Sequence, residues 1–185
     1  PRILAVHSGA LGDCVLFGHL LTRLEGEVTL VAGGEKARLL AGLGVVTRAI
    51  DFDSLPMQEL FSDTPLTQCT LPHRLGEHDR LVSCFAGGDL RAEQRLAAMC
   101  SSEAAAFLPI RPPAESEAHL LDLWSDLLGL PPKSHERYSP WPLTPAWKAA
   151  AGEAGAYTVI HPGAGGAEKC WPLENFLRLA ERLER

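Results

Sequence analysis

Ile3-Leu4-Ala5-Val6-His7-Ser8-Gly9-Ala10-Leu11-Gly12-Asp13 is the stretch from which the architecture can be read. Residues 3–6 are apolar at every position, the pattern of a strand covered on both faces rather than one alternating between core and solvent. The run ends in a loop holding Gly9 and Gly12. A helix follows, in which Leu16, Leu20 and Leu24 make one row and Phe17 and Leu21 a second beside it. Strand, glycine-rich loop and helix in succession open a parallel α/β sheet.

The same alternation continues outward from this unit. Residues 28–32 read as a second strand closed by Gly33-Gly34, and 35–43 as a short helix stopped by Gly44. Residues 49–52, 80–85 and 105–108 read as further strands. The turn at Gly87-Gly88 precedes a helix over 89–99, and 119–130 is amphipathic, with Leu120, Trp124, Leu127 and Leu128 on one face. Strands separated by helices predict a doubly wound, Rossmann-like parallel sheet in an N-terminal domain, 1–130. Pro131, Pro132, Pro140, Pro142 and Pro145 then fall within fifteen residues. Proline neither continues a helix nor donates to a sheet, so 131–145 reads as a stiff linker.

Beyond the linker, 147–154 suits a short helix and 157–161 a new strand. The last helix carries Pro172 in its first turn, where a missing N–H costs nothing, and an apolar stripe of Leu173, Phe176, Leu177, Ala180 and Leu183. One strand and one helix cannot cover each other's apolar faces. Residues 146–185 are therefore expected to be the first strand and helix of a second Rossmann-like domain that continues in the natural polypeptide.

Composition narrows the function classes. The chain has 185 residues, 46% hydrophobic and 22% charged, enough for a buried core. Its 17 lysines and arginines against 23 acids leave a formal net charge of −6. Nucleic acid is a poor partner for such a surface, since phosphate-backbone binding needs a clustered basic face. Cys14, Cys69, Cys84, Cys100 and Cys170 are odd in number and form no C-x-x-C pair, which suits reduced thiols better than a disulfide framework or zinc site. No apolar run approaches the roughly 18 residues of a membrane span, and the start lacks the features of a secretory signal. A soluble, cytoplasmic protein is the expectation.

Two loops carry the candidate chemistry. In open parallel sheets, ligands bind at the carboxyl ends of strands, where helix N-termini present unpaired N–H groups. The first loop contributes Ser8, Gly9, Gly12 and Asp13. Asp13 near a helix start is either a functional carboxylate stabilised by the helix dipole or simply a cap. The spacing is neither the dinucleotide fingerprint nor a P-loop. The second loop contributes Gly163, Ala164, Gly165, Gly166 and Lys169. Small residues leave backbone amides open to a ligand and Lys169 adds a full charge, a combination suited to a diphosphate. The alternative is a solvated Lys169 beside a packing Trp171. His7 and His161, both at strand ends, read equally as ligand contacts or hydrogen-bonded structural histidines. Gly87-Gly88-Asp89 either lines the same cleft as Asp13 or makes a plain turn. The remaining histidines are too scattered to argue metal ligation.

Read together, the two loops resemble glycosyltransferase family 9, the ADP-heptose:lipopolysaccharide heptosyltransferases. Residues 3–13 look like the family's opening motif, 161–172 like its donor-domain motif, and 79–89 align more loosely. The whole chain is covered, but only about half of a family member. The resemblance implies a GT-B architecture of two Rossmann-like domains. It implies inverting, metal-independent transfer of a sugar, typically heptose from an ADP-linked donor, to a lipopolysaccharide core acceptor. No cofactor is implied. Asp13 would then be the general base on the acceptor hydroxyl, with Ser8, Gly9 and Gly12 as the acceptor-side loop. Lys169 and the amides of residues 163–166 would neutralise the donor diphosphate. The implied partners are a nucleotide-sugar donor and a glycan or glycolipid acceptor, the latter bringing the protein to the inner-membrane surface.

The chain departs from the family pattern at His7, where lysine or arginine is usual, at Phe17-Gly18-His19, at Ser83-Cys84 and at Cys170. Two other classes stand beside this reading: a non-catalytic nucleotide-sugar-binding protein on the same scaffold, and a Rossmann oxidoreductase, which the glycine spacing disfavours. Because the base- and ribose-binding part would lie in absent donor-domain sequence, the chain alone is expected to be inactive.

Overall fold

The structure, a computed structural model, describes residues 1–131, 141, 145, 158–164 and 166–183. The chain divides into two compact units, Pro1–Trp147 and Lys148–Arg185.

The first unit is built on five parallel strands: β1 (Arg2–Val6), β2 (Glu27–Ala32), β3 (Arg48–Asp51), β4 (Arg80–Ser83) and β5 (Ala104–Phe107). They lie in the order β3-β2-β1-β4-β5, so the first strand is central. Leu4 stands level with Thr29 on one side and Leu81 on the other. Side chains along β1 alternate between two cores. Ile3 and Ala5 join a layer with Phe17, Leu20 and Leu21 of α1 (Leu11–Leu21), Leu40 of α2 (Gly34–Gly42) and Trp124 of α5 (Leu120–Leu127). Leu4 and Val6 join the opposite layer, with Leu71 and Leu75 of α3 (Leu71–Leu75) and Leu96 of α4 (Leu90–Met99). Helices on both faces explain why residues 3–6 are uniformly apolar.

The strands and helices expected from the sequence form with ends shifted by one to three residues. Residues 84 and 85 leave the predicted strand, and Asp89 stands just ahead of α4 as its cap. One region adds structure that no sequence pattern announces. Between β3 and β4 the chain makes three short 3-10 turns, Phe52–Ser54, Met57–Phe61 and Leu66–Gln68, before α3. Glu59 ties this crossover together by accepting from the N–H of Thr70 at 3.1 Å and of Leu71 at 2.9 Å. Those bonds, Leu71's foremost, hold its carboxyl below the usual range.

In the second unit the expectation of a strand over 157–161 is not met: the described residues 158–161 form none. A strand is held by hydrogen bonds to a neighbour, and no other strand is described in this unit to supply them. The closing helix, α6 (Leu173–Leu183), does form, with Pro172 immediately before it. Its apolar stripe is largely uncovered, with Leu173 and Leu177 63% and 58% exposed. Most of the linker (131–145) and the helix expected over 147–154 lie outside the described residues.

Candidate functional site

The strand order reverses between β1 and β4: one crossover leads from β1 to β2, the other from β4 to β5. Such a switch point splays the loops beyond the strand ends apart and leaves a crevice. A cleft of about 630 Å³ lies there, lined by Ser8 after β1, by residues 84–88 after β4, by Glu93 of α4 and by residues 107–110 at the end of β5.

The loop after β1 is fixed from two directions. His7 is fully buried (0% exposed) against Phe17 and Trp124, and its Nδ1 accepts from the N–H of Gly9 at 2.9 Å. Burial lowers its pKa, with Asp13 opposing that shift and Lys36 adding to it. A methyl group on Gly9 would lie 3.1 Å from the Asp13 carboxylate and closer still to the His7 ring, so glycine is a steric requirement. Lys36 of α2 donates from Nζ to the carbonyl oxygen of Gly9 at 2.6 Å. No local pattern marks Lys36 in the sequence, because its partner is 27 residues away.

Asp13 stands in the first turn of α1, half-buried. Its Oδ2 accepts from the N–H of Ala10 at 3.2 Å. The cap reading is thus met in part: a side chain at the third helical position reaches back to the residue before the helix. Asp13 forms no ion pair among the described residues. Its charge, with that of Cys14, adds to the rise that burial gives the Cys84 thiol on the cleft wall.

On the β4 side, Ala86 adopts φ 65° and Gly88 φ 89°. A left-handed alanine carries strain of about 1–2 kcal/mol, of the kind that gathers at functional loops. Phe85 is braced edge-to-face by Phe52 at 5.0 Å and Phe61 at 6.0 Å. On the β5 side, Trp124 donates from its indole nitrogen to the carbonyl of Pro109 at 2.7 Å, so a buried core residue sets that wall. Gly12 is open: a methyl group placed there would meet nothing within 4 Å beyond its own helix.

The second loop belongs to the other unit. Gly163 and Ala164 are exposed, and Gly165 lies outside the described residues. Gly166 precedes a 3-10 turn, Ala167–Lys169, closed by the N–H of Lys169 on the carbonyl of Gly166 at 3.0 Å. Lys169 is exposed at the end of this turn, and its ammonium has no ion pair among the described residues. Trp171, 52% exposed, packs edge-to-face on Phe176 at 5.1 Å. His161 is exposed beside Gly163. The carboxylate of the exposed Glu168 sits over Gly166, so a side chain there would push it aside. In sequence that acid is inconspicuous among small residues, and only the folded turn brings it over the glycine.

All five cysteines are free, and the four in the first unit are buried. Burial pushes the Cys100 thiol up to about 11. Among the described residues, no cluster of three or more His, Cys, Asp or Glu is placed to hold a metal ion, and no helix is long and apolar enough to cross a membrane.

The sequence matches no known family model and no curated protein. Its fold does have solved counterparts. The E. coli heptosyltransferase WaaC, solved with ADP-2-deoxy-2-fluoro heptose, superposes with a TM-score of 0.59 over 99% of this chain at 14% identity. The same enzyme solved with ADP gives a TM-score of 0.62, again at 14% identity. The fold is like that of a heptosyltransferase. At this identity the likeness is one of fold alone. The chain spans 65% of that protein's length in the first comparison and 64% in the second, more than the half expected from the motifs.

Proposed function

We propose that this chain is the acceptor-side domain (1–130), the linker (131–145) and the beginning of the donor domain (146–185) of an inverting, metal-independent GT-B glycosyltransferase. The observation that carries this reading is the half-buried carboxylate of Asp13, without an ion pair among the described residues, beside a cleft at the switch point of a heptosyltransferase-like sheet. In the proposed step an acceptor hydroxyl attacks the anomeric carbon of a nucleotide-linked sugar. The new C–O bond forms as the bond to the diphosphate oxygen breaks, with inversion. The hydroxyl proton passes to Asp13, and the leaving electron pair goes to the diphosphate. Lys169 and the amides around Gly163, Ala164, Gly165 and Gly166 neutralise that diphosphate. A base on the attacking side and positive charge on the leaving side are what such a displacement needs.

The donor is a nucleoside diphosphate sugar, ADP-heptose being the form the resemblance points to. The acceptor is a glycan or glycolipid. The overlying Glu168 carboxylate must swing aside for a diphosphate to reach Gly166. The test is Asp13→Asn in the natural polypeptide. Transfer should fall on the order of a hundredfold or more while donor affinity holds. Transfer that survives the change would refute the assignment of the base.

A further inference from the structure

The N-terminus of a helix is where α/β proteins commonly hold a phosphate or carboxylate, because unpaired N–H groups point outward there. At this cleft two donors of α4 and one loop N–H ahead of each helix are engaged by the chain's own carboxylates. Asp89 caps α4 by accepting from the N–H of Arg91 at 3.1 Å and of Ala92 at 3.0 Å. Glu93 reaches back from the same first turn to the N–H of Gly88 at 2.8 Å. At α1, Asp13 holds the N–H of Ala10. Three of the chain's own carboxylates thus stand beside the two helix starts, Asp89 directly on the donors of α4, and their negative charge opposes an anionic group there.

The rest of the cleft agrees with this. Phe85, Phe107, Leu108, Pro109 and Ile110 form its walls, and no basic residue among the described ones lines it. Two of the nearby cations are engaged elsewhere: Lys36 with the Gly9 carbonyl, and Arg91 with Asp63 and the carbonyl of Ser62. Arg111, next to Ile110, is exposed.

We infer that the cleft selects an uncharged sugar as acceptor, its apolar ring face laid against Phe85 and Phe107, and rejects sugars bearing phosphate or carboxylate at that position. The inference rests on the glycosyltransferase reading and names the acceptor class for it. Apolar walls with a few oriented polar groups are the usual make-up of a small-molecule site. The Ser8 hydroxyl and the second oxygen of Glu93 are left to meet sugar hydroxyls. An anionic sugar meets carboxylates instead of donors, so selection works through repulsion as well as contact.

The test titrates the 185-residue chain with methyl β-glucoside and, separately, glucose 6-phosphate, read by saturation-transfer NMR at low ionic strength. The glucoside ring protons should show contact, with glucose 6-phosphate binding about tenfold more weakly or worse. Ile110→Asp should weaken the glucoside several-fold without changing the melting temperature. Glu93→Gln, which can still accept from Gly88, should narrow the gap between the two sugars. Arg111→Ala should change neither. Equal or tighter binding of glucose 6-phosphate, no binding of either sugar at millimolar concentration, or loss of binding in Arg111→Ala would overturn the inference. Transfer assays on the natural polypeptide separate this inference from the enzyme reading. Transfer onto a phosphorylated sugar sinks the acceptor class alone. Glucoside binding without any transfer sinks the catalytic reading and leaves the ligand class standing.

Discussion

Lys36 and His7 hold the two polar groups of one peptide residue: Lys36 Nζ donates to the carbonyl of Gly9 at 2.6 Å, and His7 Nδ1 accepts its N–H at 2.9 Å. The loop leading to Asp13 is thereby clamped by a helix on one side and by the buried core on the other. Lys36→Met keeps most of the side-chain length and removes the donor. We expect a loss of about 1.5 kcal/mol in chemical denaturation, at the low end for a charged hydrogen bond because the group is half-buried. Transfer by the natural polypeptide should fall by more than the lost folded fraction explains. A rate that tracks the folded fraction would show that the clamp is only structural.

His7 also gives the fold an acid limit. Burial lowers its pKa below the ordinary value of about 6.5, so between the folded and unfolded values the unfolded chain binds more protons. Stability is therefore fully present above about pH 6.5 and is lost as pH falls toward the folded value. Protonation at Nδ1 also removes the acceptor that Gly9 uses. Melting temperatures measured from pH 7.5 down to about 5 should fall more steeply for the wild type than for His7→Gln. Parallel curves would contradict this account.

Trp124 links the core to the cleft wall through its bond to Pro109. Trp124→Phe leaves that carbonyl unpaired and opens a small void. The expected loss is about 1–3 kcal/mol in urea denaturation. Trp124→Ala should cost about 3–5 kcal/mol, because a large buried side chain is removed outright. Equal losses for the two variants would mean that the hydrogen bond, rather than packing, dominates.

Glu168 lies over Gly166 in the loop assigned to the donor diphosphate. Removing its charge should help an anionic donor. Glu168→Gln is expected to tighten nucleoside diphosphate binding by the natural polypeptide several-fold, and Lys169→Gln to weaken it. Calorimetry with ADP reads both. Weaker binding in Glu168→Gln would place the diphosphate elsewhere.

The fold of the first unit is largely legible in the sequence because its signals are local. Uniformly apolar strands, glycines at their ends and helical leucine spacing are enough to place its five strands and four of its helices. Residues 52–75 are illegible for the same reason: short 3-10 turns have no periodicity of their own and are held by distant partners such as Glu59 with Thr70. The strand expected over 157–161 shows the limit from the other side, since strand propensity makes no ladder where no neighbouring strand stands among the described residues. At the site, Asp13 and its glycines stand out through spacing. Lys36 and the back-reaching Glu93 do not, because their roles depend on tertiary placement.

The carboxylate-capped helix ends beside the cleft have one further consequence. Because the N–H groups of Gly88, Arg91 and Ala92 are satisfied within the chain, little of the ligand affinity on this face can come from long-range attraction between net charges, and dissolved ions have little to screen. Sugar recognition by the first unit should thus be nearly indifferent to added sodium chloride. The exposed Lys169 loop, if it holds a diphosphate, should weaken as the medium becomes more concentrated.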